Sequence, residues 1–491
     1  MLKKISVLAL TGLLALPVSA LAAAPTVQDL EQKMMEMTHN FNAQMQAMQK
    51  EISALKTKNA DISKDVADVK SVAGTTGAAD WTKKISLGGQ VRLRGYDLQN
   101  VWNFDNSKDW DHWNVFRLKS SLKATVKATK DVTAVVQMTD QTYGEGVGVD
   151  SSGEGDNRDN KIFLDNAYIN ARNMFGLPVD LTLGRQNLIY GSGFVVLDGQ
   201  SQFASTSIYF DGVKLRWHAT KKTSVDLLYM KDQEGNRDNA SNDDITLSGA
   251  YLISKQCSLI GKSEAYILNR NDEGKKKSIW MYGLRLSDKL ANGIDYSAEG
   301  AIQRGDASAT QGQDAYGYKL NAGYTFKNAA MTPRLYLGYA FMSGDDTSTT
   351  GDNEGWDVFY GGWPQFGDLL VWEYVNIGAG NALNGVYNYN KLSSTGGEAV
   401  YSNFGIATLG ASVNLLKNLN ANLSYSKVTF DKVAAGMSDD FGDYYQAKLK
   451  YKYNKQLSFS LYGAIMAPGD AFNATPKDNA TELYWESDFR F

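Results

Sequence analysis

From Ile85 onward the chain alternates with period two, and that alternation limits it to sheet. Ile85, Leu87, Gly89, Val91 and Leu93 fall on one face, and Ser86, Gly88, Gln90, Arg92 and Arg94 on the other. The pattern returns at 115–126, where Phe116, Leu118, Leu122, Ala124 and Val126 oppose Arg117, Lys119, Ser121, Lys123 and Thr125. It returns again at 314–327 and at 440–453, with tyrosines on the apolar face. Side chains of a strand point alternately to two faces, so each such segment has one dry and one wet side. The segments run about 10–14 residues, the length of a tilted strand crossing a bilayer. Aromatics gather near segment ends, as at Trp280/Tyr282, Tyr336/Tyr339 and Tyr451/Tyr453, where interfacial girdles belong. Short turns such as Thr129-Lys130-Asp131 and Asn454-Lys455-Gln456 alternate with long polar loops. A sheet in lipid can leave no open edge, so the expected fold is all-β, a transmembrane antiparallel barrel. Nineteen candidate strands can be marked. Bacterial barrels are usually even-numbered, and the segment near residue 370 is the weakest, so about 18 strands are expected.

Two segments precede this region. Lys3-Lys4, the apolar run 5–16, Pro17 and Ala20-Leu21-Ala22 form a secretory signal pattern, read as residues 1–22. Residues 25–73 then carry apolar residues in steps of three and four: Met34, Met37, Phe41, Met45, Met48, Ile52, Leu55, Ile62. That is a heptad seam, with Asn59 placed on it where a buried amide would fix register. We read it as a periplasmic coiled-coil segment that joins copies of the chain, with a trimer as the expected state. One helix folded onto, or plugging, the rest of the protein stays open as the alternative. Residues 74–80 are a small-residue linker, and the barrel is assigned to 81–491.

Composition removes several other classes. The chain has 491 residues, 50 Lys plus Arg against 54 Asp plus Glu, and a net charge of −4, without the basic excess of a nucleic-acid binder. Mean hydropathy is −0.36, too polar for a bundle of membrane helices. Cys257 is the single cysteine and there are three histidines, so neither a disulfide framework nor a Cys-based metal centre is expected. His39, His112 and His218 have no obvious Ser and acid partner, and no Gly-x-Ser-x-Gly, Walker or haem-attachment motif occurs. An enzyme is therefore not expected, nor a cofactor. Asp345, Asp346, Asp352 and Glu354 offer oxygen atoms, but their spacing fits no EF-hand loop, and a solvated surface loop is the expectation.

A pore's chemistry is its lining. Parity turns Arg92, Arg94, Arg117, Lys119, Lys123, Lys214 and Arg216 inward, with Arg285, Lys319 and Lys448 further along. Inward acids include Asp226, Glu264, Asp295, Glu299, Glu482, Glu486 and Asp488. Bases exceed acids, which predicts a lumen that concentrates anions. The cluster Arg92–Lys123 on the first two strands is the expected selectivity element. The last segment, from Leu483 to a terminal Phe491, alternates to an aromatic end and resembles the insertion signal of outer-membrane barrels.

Leu183-Gly184-Arg185-Gln186, Tyr190-Gly191, Phe210-Asp211-Gly212-Val213, Ser343-Gly344-Asp345 and Trp363-Pro364 resemble the alginate-export-like outer-membrane porin family. The resemblance implies an 18-stranded barrel that passes anionic or neutral polar solutes passively. It also implies that Arg185 faces the pore, although its parity with Leu181 and Leu183 would send it to lipid. The N-terminal coil departs from the family's plain barrel and resembles the stalks of some trimeric porins. The expected function is a passive outer-membrane channel for small hydrophilic, anionic solutes. The alternative is a structural sheath that houses or anchors a partner, such as a periplasmic cytochrome or polymer-export machinery. The expected surroundings are outer-membrane lipid, further copies of the chain and small polar solutes, with no nucleic acid.

Overall fold

The computed structural model describes most of the chain from Thr82 to Phe491. Segments 144–161, 198–209, 234–243, 256–260, 347–350, 362–365, 371–401 and 473–476, and positions 102–103, 105, 108–111 and 434, lie outside the described residues, as do all but Gln46, Lys50 and Ser53 of the first 81. The signal peptide, the oligomerisation seam and the linker therefore fall outside them. Residues 1–83 and 84–491 are separate units, and the account below concerns the second.

Eighteen strands make one closed antiparallel sheet. In chain order they are β1 Ile85–Gln99, β2 His112–Lys127, β3 Val132–Tyr143, β4 Phe163–Ala171, β5 Val179–Gln186, β6 Phe210–Trp217, β7 Thr223–Gln233, β8 Ile245–Ser254, β9 Lys262–Asp272, β10 Lys277–Lys289, β11 Ile294–Asp306, β12 Gly312–Thr325, β13 Arg334–Met342, β14 Phe404–Leu416, β15 Leu419–Thr429, β16 Asp440–Lys452, β17 Leu457–Pro468 and β18 Ala480–Arg490. Each pairs with its sequence neighbours, and β1 closes on β18. The seam is sealed at its turn end by reciprocal backbone bonds: Gly89 N–H donates to Phe491 O at 2.9 Å and Phe491 N–H to Gly89 O at 3.1 Å. Closure leaves no open edge in the hydrocarbon layer. Of the weakest candidate segment, near 370, Asp368–Leu370 form a helical turn, and the residues from 371 lie outside the described residues.

The two faces follow the alternation. Leu87, Phe116, Leu122, Leu284, Leu337, Leu423 and Leu483 are exposed on the outside, as lipid-facing residues are in the absence of lipid. Trp280, Tyr316, Tyr339, Tyr425 and Tyr445 stand on the loop side of this belt, and Trp217, Tyr324, Phe326, Tyr453 and Phe491 on the turn side. The outer surface is not symmetric. Among the described residues six cross-strand acid–base pairs stand on it, all at the loop end: Asp97–His112, Arg185–Asp211, Lys231–Asp244, Arg304–Asp314, Lys427–Asp440 and Lys427–Asp443.

The barrel interior is not empty. A buried apolar cluster joins wall residues Tyr96, Met230, Leu247, Leu268, Met281 and Tyr484 to residues of the loop-side connections. Leu188–Val196 and Trp356–Tyr360 come inward together: Tyr360 N–H donates to Val195 O at 3.0 Å and Leu197 N–H to Tyr360 O at 2.7 Å. Phe194 stacks on Trp356 at 5.5 Å, and Phe210 meets Tyr360 edge-on at 4.9 Å. Leu369, Leu370, Phe404 and Phe472 extend the same cluster. The sequence marks 191–206 and 343–369 as long loops, with the acidic part of 343–369 expected in water, and leaves open whether a loop plugs the pore.

Candidate functional site

The site is the lumen, and it is built by register. Pairing of β1 with β2 sets Arg92 opposite Lys119 and Arg94 opposite Arg117. Pairing of β1 with β18 sets the same arginines opposite Asp488 and Glu486. One strand of bases thus stands between a basic and an acidic neighbour. Arg94 is fully buried. It donates through Nε to Glu486 at 2.5 Å and through Nη1 to the Tyr96 hydroxyl at 2.8 Å, and lies 3.5 Å from Asp368. Arg92 lies 3.9 Å from Glu486. A β-bulge where β3 meets β4 turns Asp165 inward, where Gln137 and Thr139 donate to it at 2.8 and 2.7 Å.

A quarter-turn round the wall, Arg216 forks onto Asp226 at 2.5 and 2.7 Å, the bidentate geometry that guanidinium and carboxylate share. The Tyr190 hydroxyl donates to the same Asp226 at 2.8 Å. Burial, with Asp226 beside it, pushes the Tyr190 hydroxyl well above its ordinary value. Lys214 stands two residues from Arg216 on the same inward face. Further on, Arg285 bridges Glu264 and Glu299, and Tyr190, Tyr251 and Tyr266 stack in series at 4.1 and 5.2 Å.

On the opposite wall lies a cavity of about 260 Å³. Lys319 and Lys448, the hydroxyls of Tyr336, Tyr462, Thr408 and Ser424, and the amides of Asn321, Asn422 and Gln446 line it. Phe366 and Gly367 form one side. Gln446 donates to Phe366 O at 3.1 Å, and the Lys319 ammonium lies 5.2 Å above the Phe366 ring. Gly367 has φ +129°, and a Cβ there would come within 2.1 Å of the Tyr444 hydroxyl, so glycine is required on both counts.

Arg92, Arg94, Arg117, Lys119, Lys123, Lys214 and Arg216 take the inward parity expected of them. Arg185 does not. It shares the outward face of Leu183 and forks onto Asp211 at 2.7 and 2.6 Å, with Leu164 O accepting from its third nitrogen at 3.1 Å. No register shift separates β5 from β6, so parity prevails over the motif. The plug's own anchors were missed. Asp357 is held by Lys277 and by Arg270 at 3.5 Å, and it caps Phe359 N–H at 2.8 Å. Burial alone would raise the Asp357 carboxyl, but Lys277, Arg270 and the Phe359 amide together hold it far below the usual carboxylate range. The available signal was the apolar content of these loops, Phe194-Val195-Val196 and Trp356 to Tyr360. Among the described residues no group of three or more His, Cys, Asp or Glu is placed to hold a metal ion.

The alginate export family profile matches residues 84–485. Solved structures with the same fold include Pseudomonas aeruginosa OccK2 (OpdF) in complex with glucuronate, at 13% identity and TM-score 0.51, covering 83% of this chain and 98% of that one. A BenF-like porin from Pseudomonas fluorescens Pf-5 is similar at 11% identity and TM-score 0.51, over 83% and 99%. Acinetobacter baumannii OccAB1 is similar at 14% identity and TM-score 0.53, over 82% and 96%. A search of curated proteins finds no match. With its closed 18-stranded barrel and a profile match that spans it, the chain belongs to the alginate export family.

Proposed function

We propose that the barrel is a passive diffusion channel for small hydrophilic anions. The carrying observation is the cavity between Lys319 and Lys448, which combines two ammoniums with hydroxyls and amides opposite Phe366 and Gly367. That is the donor set of a site for a hydroxylated anion. The inward bases of β1 and β2 add a positive wall, which in a confined low-dielectric channel draws anions in and slows cations. Single-channel recording of residues 23–491 in a planar bilayer under a salt gradient tests this. Anion-selective steps are expected, and cation-selective current or none would refute it.

The plug favours one second reading: a barrel whose loop end is packed with apolar residues can serve as a sheath or anchor for a partner. A folded chain that never conducts and co-purifies with a haem protein or export subunits would decide for it. Within the channel reading, residues 1–22 direct export, and residues 25–73 join three chains through Met34, Met37, Phe41, Ile52, Leu55, Asn59 and Ile62. Sedimentation of detergent-solubilised protein with and without 25–73 tests the stalk: loss of the trimer on deletion is expected.

A further inference from the structure

We infer that Asp368 is a tethered counter-anion: it occupies the anion position at Arg94, and a solute anion passes by exchanging with it. This rests on the anion-channel reading above.

The segment 366–370 lies across the lumen as a strap. Polar contacts with several wall strands hold it. Phe366 O accepts from Gln446, the Phe366 ring sits under Lys319, and Asp368 faces Arg94 at 3.5 Å and accepts from Tyr96 at 3.3 Å. Two of these are the contacts a solute anion would make for itself. A carboxylate entering the cavity meets Lys319 beneath Phe366 and, beyond it, Arg94 beside Asp368. Arg94 is also held by the wall's Glu486 and by the Tyr484 ring, 4.9 Å from its guanidinium carbon. Removing the strap's carboxylate therefore leaves Arg94 in position, with a coordination site vacated.

The strap also touches an acid of the wall: Glu482 is buried and hydrogen-bonds both the Asp368 carboxyl and Leu369 N–H. The groups facing Asp368 are Arg94 and Tyr96 from β1, Tyr444 and Lys448 from β16, Tyr462 from β17, and Glu482 and Tyr484 from β18. Of the acids among them, Asp368 is the one carried on the strap rather than on the wall. Its departure therefore shifts the local balance toward the bases Arg94 and Lys448. A solute anion restores that balance, which couples passage to the sign of its charge.

The test compares the wild-type chain with Asp368→Asn, which keeps the shape and removes the charge, using Asp368→Ala as a second variant. Single-channel current should rise about threefold, with reversal potential moving further toward the anion limit. Current that appears only in the variants supports the tether as the seal. Unchanged current and reversal potential, or a shift toward cations, overturns it. If neither protein conducts although both are folded, the channel reading fails, and a second measurement decides the tether. In a Cys257→Ser background, Leu369→Cys is exposed to a water-soluble thiol reagent with glucuronate or with glucose. Faster labelling with glucuronate alone supports exchange at Asp368. Equal labelling overturns it.

Discussion

Truncating Asp357 should release the plug without unfolding the barrel. In the folded chain this carboxylate neutralises Arg270 and Lys277, and Phe359 N–H caps it. Removing one partner of a buried ion pair costs about 3–5 kcal/mol, because the remaining charge stays desolvated. Lys277 is 18% exposed and can turn to water, whereas Arg270 is 5% exposed and cannot. Arg270 keeps the Tyr360 ring, 5.5 Å from its guanidinium carbon. The lower end of the range, about 3 kcal/mol, is therefore expected for Asp357→Ala, or roughly a hundredfold in the docking equilibrium. Hydrogen exchange reads this directly. The Tyr360 and Leu197 amides, bonded to Val195 O and Tyr360 O, should exchange about a hundredfold faster, while wall amides at Glu299 and Lys319 hold their rates. Unchanged plug amides would refute the anchor, and wall amides that accelerate equally would refute the plug as an independent unit. The pH dependence has a definite sign. A carboxylate whose folded value lies below its unfolded value of about 3.9 contributes fully above that value and loses its contribution as pH falls toward the folded one. Plug amides of the wild type should therefore exchange with unchanged stability from about pH 8 to 5 and lose protection only below about pH 4.

Three other outcomes are expected. Replacing both Lys319 and Lys448 with Gln removes the ammoniums of the cavity and should move the reversal potential toward zero, with conductance retained. Gly283→Val places a branched side chain where a Cβ already lies 2.1 Å from the Tyr266 ring; overpacking of about 1–3 kcal/mol should lower the temperature at which the folded band is lost on unheated gels. Deleting Phe491 removes both backbone bonds to Gly89, each worth about 0.5–1.5 kcal/mol, and should lower the urea midpoint of refolded barrel.

The strands were legible because alternation is a local property. A segment with Leu118 and Leu122 on one face and Lys119 and Lys123 on the other permits one orientation in lipid, and the pairing of β1 with β2 adds only the register. The wall charges were legible by the same parity. Arg185 shows what happens when a motif is preferred to parity: its guanidinium finds Asp211 on the outside and needs no bulge to reach it. The plug was not legible, because its partners are remote in sequence. Nothing near Asp357 announces Lys277 and Arg270, which lie 80 or more residues earlier on β9 and β10. The acidic character that made 343–369 read as a water-facing loop belongs in part to residues such as Asp345 and Asp357 that the fold buries.

The ion pairs on the outer surface at the loop end act as a waterline. A barrel ringed with phenylalanine and tyrosine at one rim and with Arg185–Asp211, Lys231–Asp244 and Lys427–Asp440 at the other cannot ride deeper without dragging charge into hydrocarbon. The depth-dependent cost of a lipid-facing charge is about 2–4 kcal/mol at the midplane and near zero at the interface. The protein therefore floats at a fixed draught, with the loop rim always uppermost. The strap and plug sit at the same height in every copy, and a solute arriving from outside meets them before it meets the lysines of the cavity.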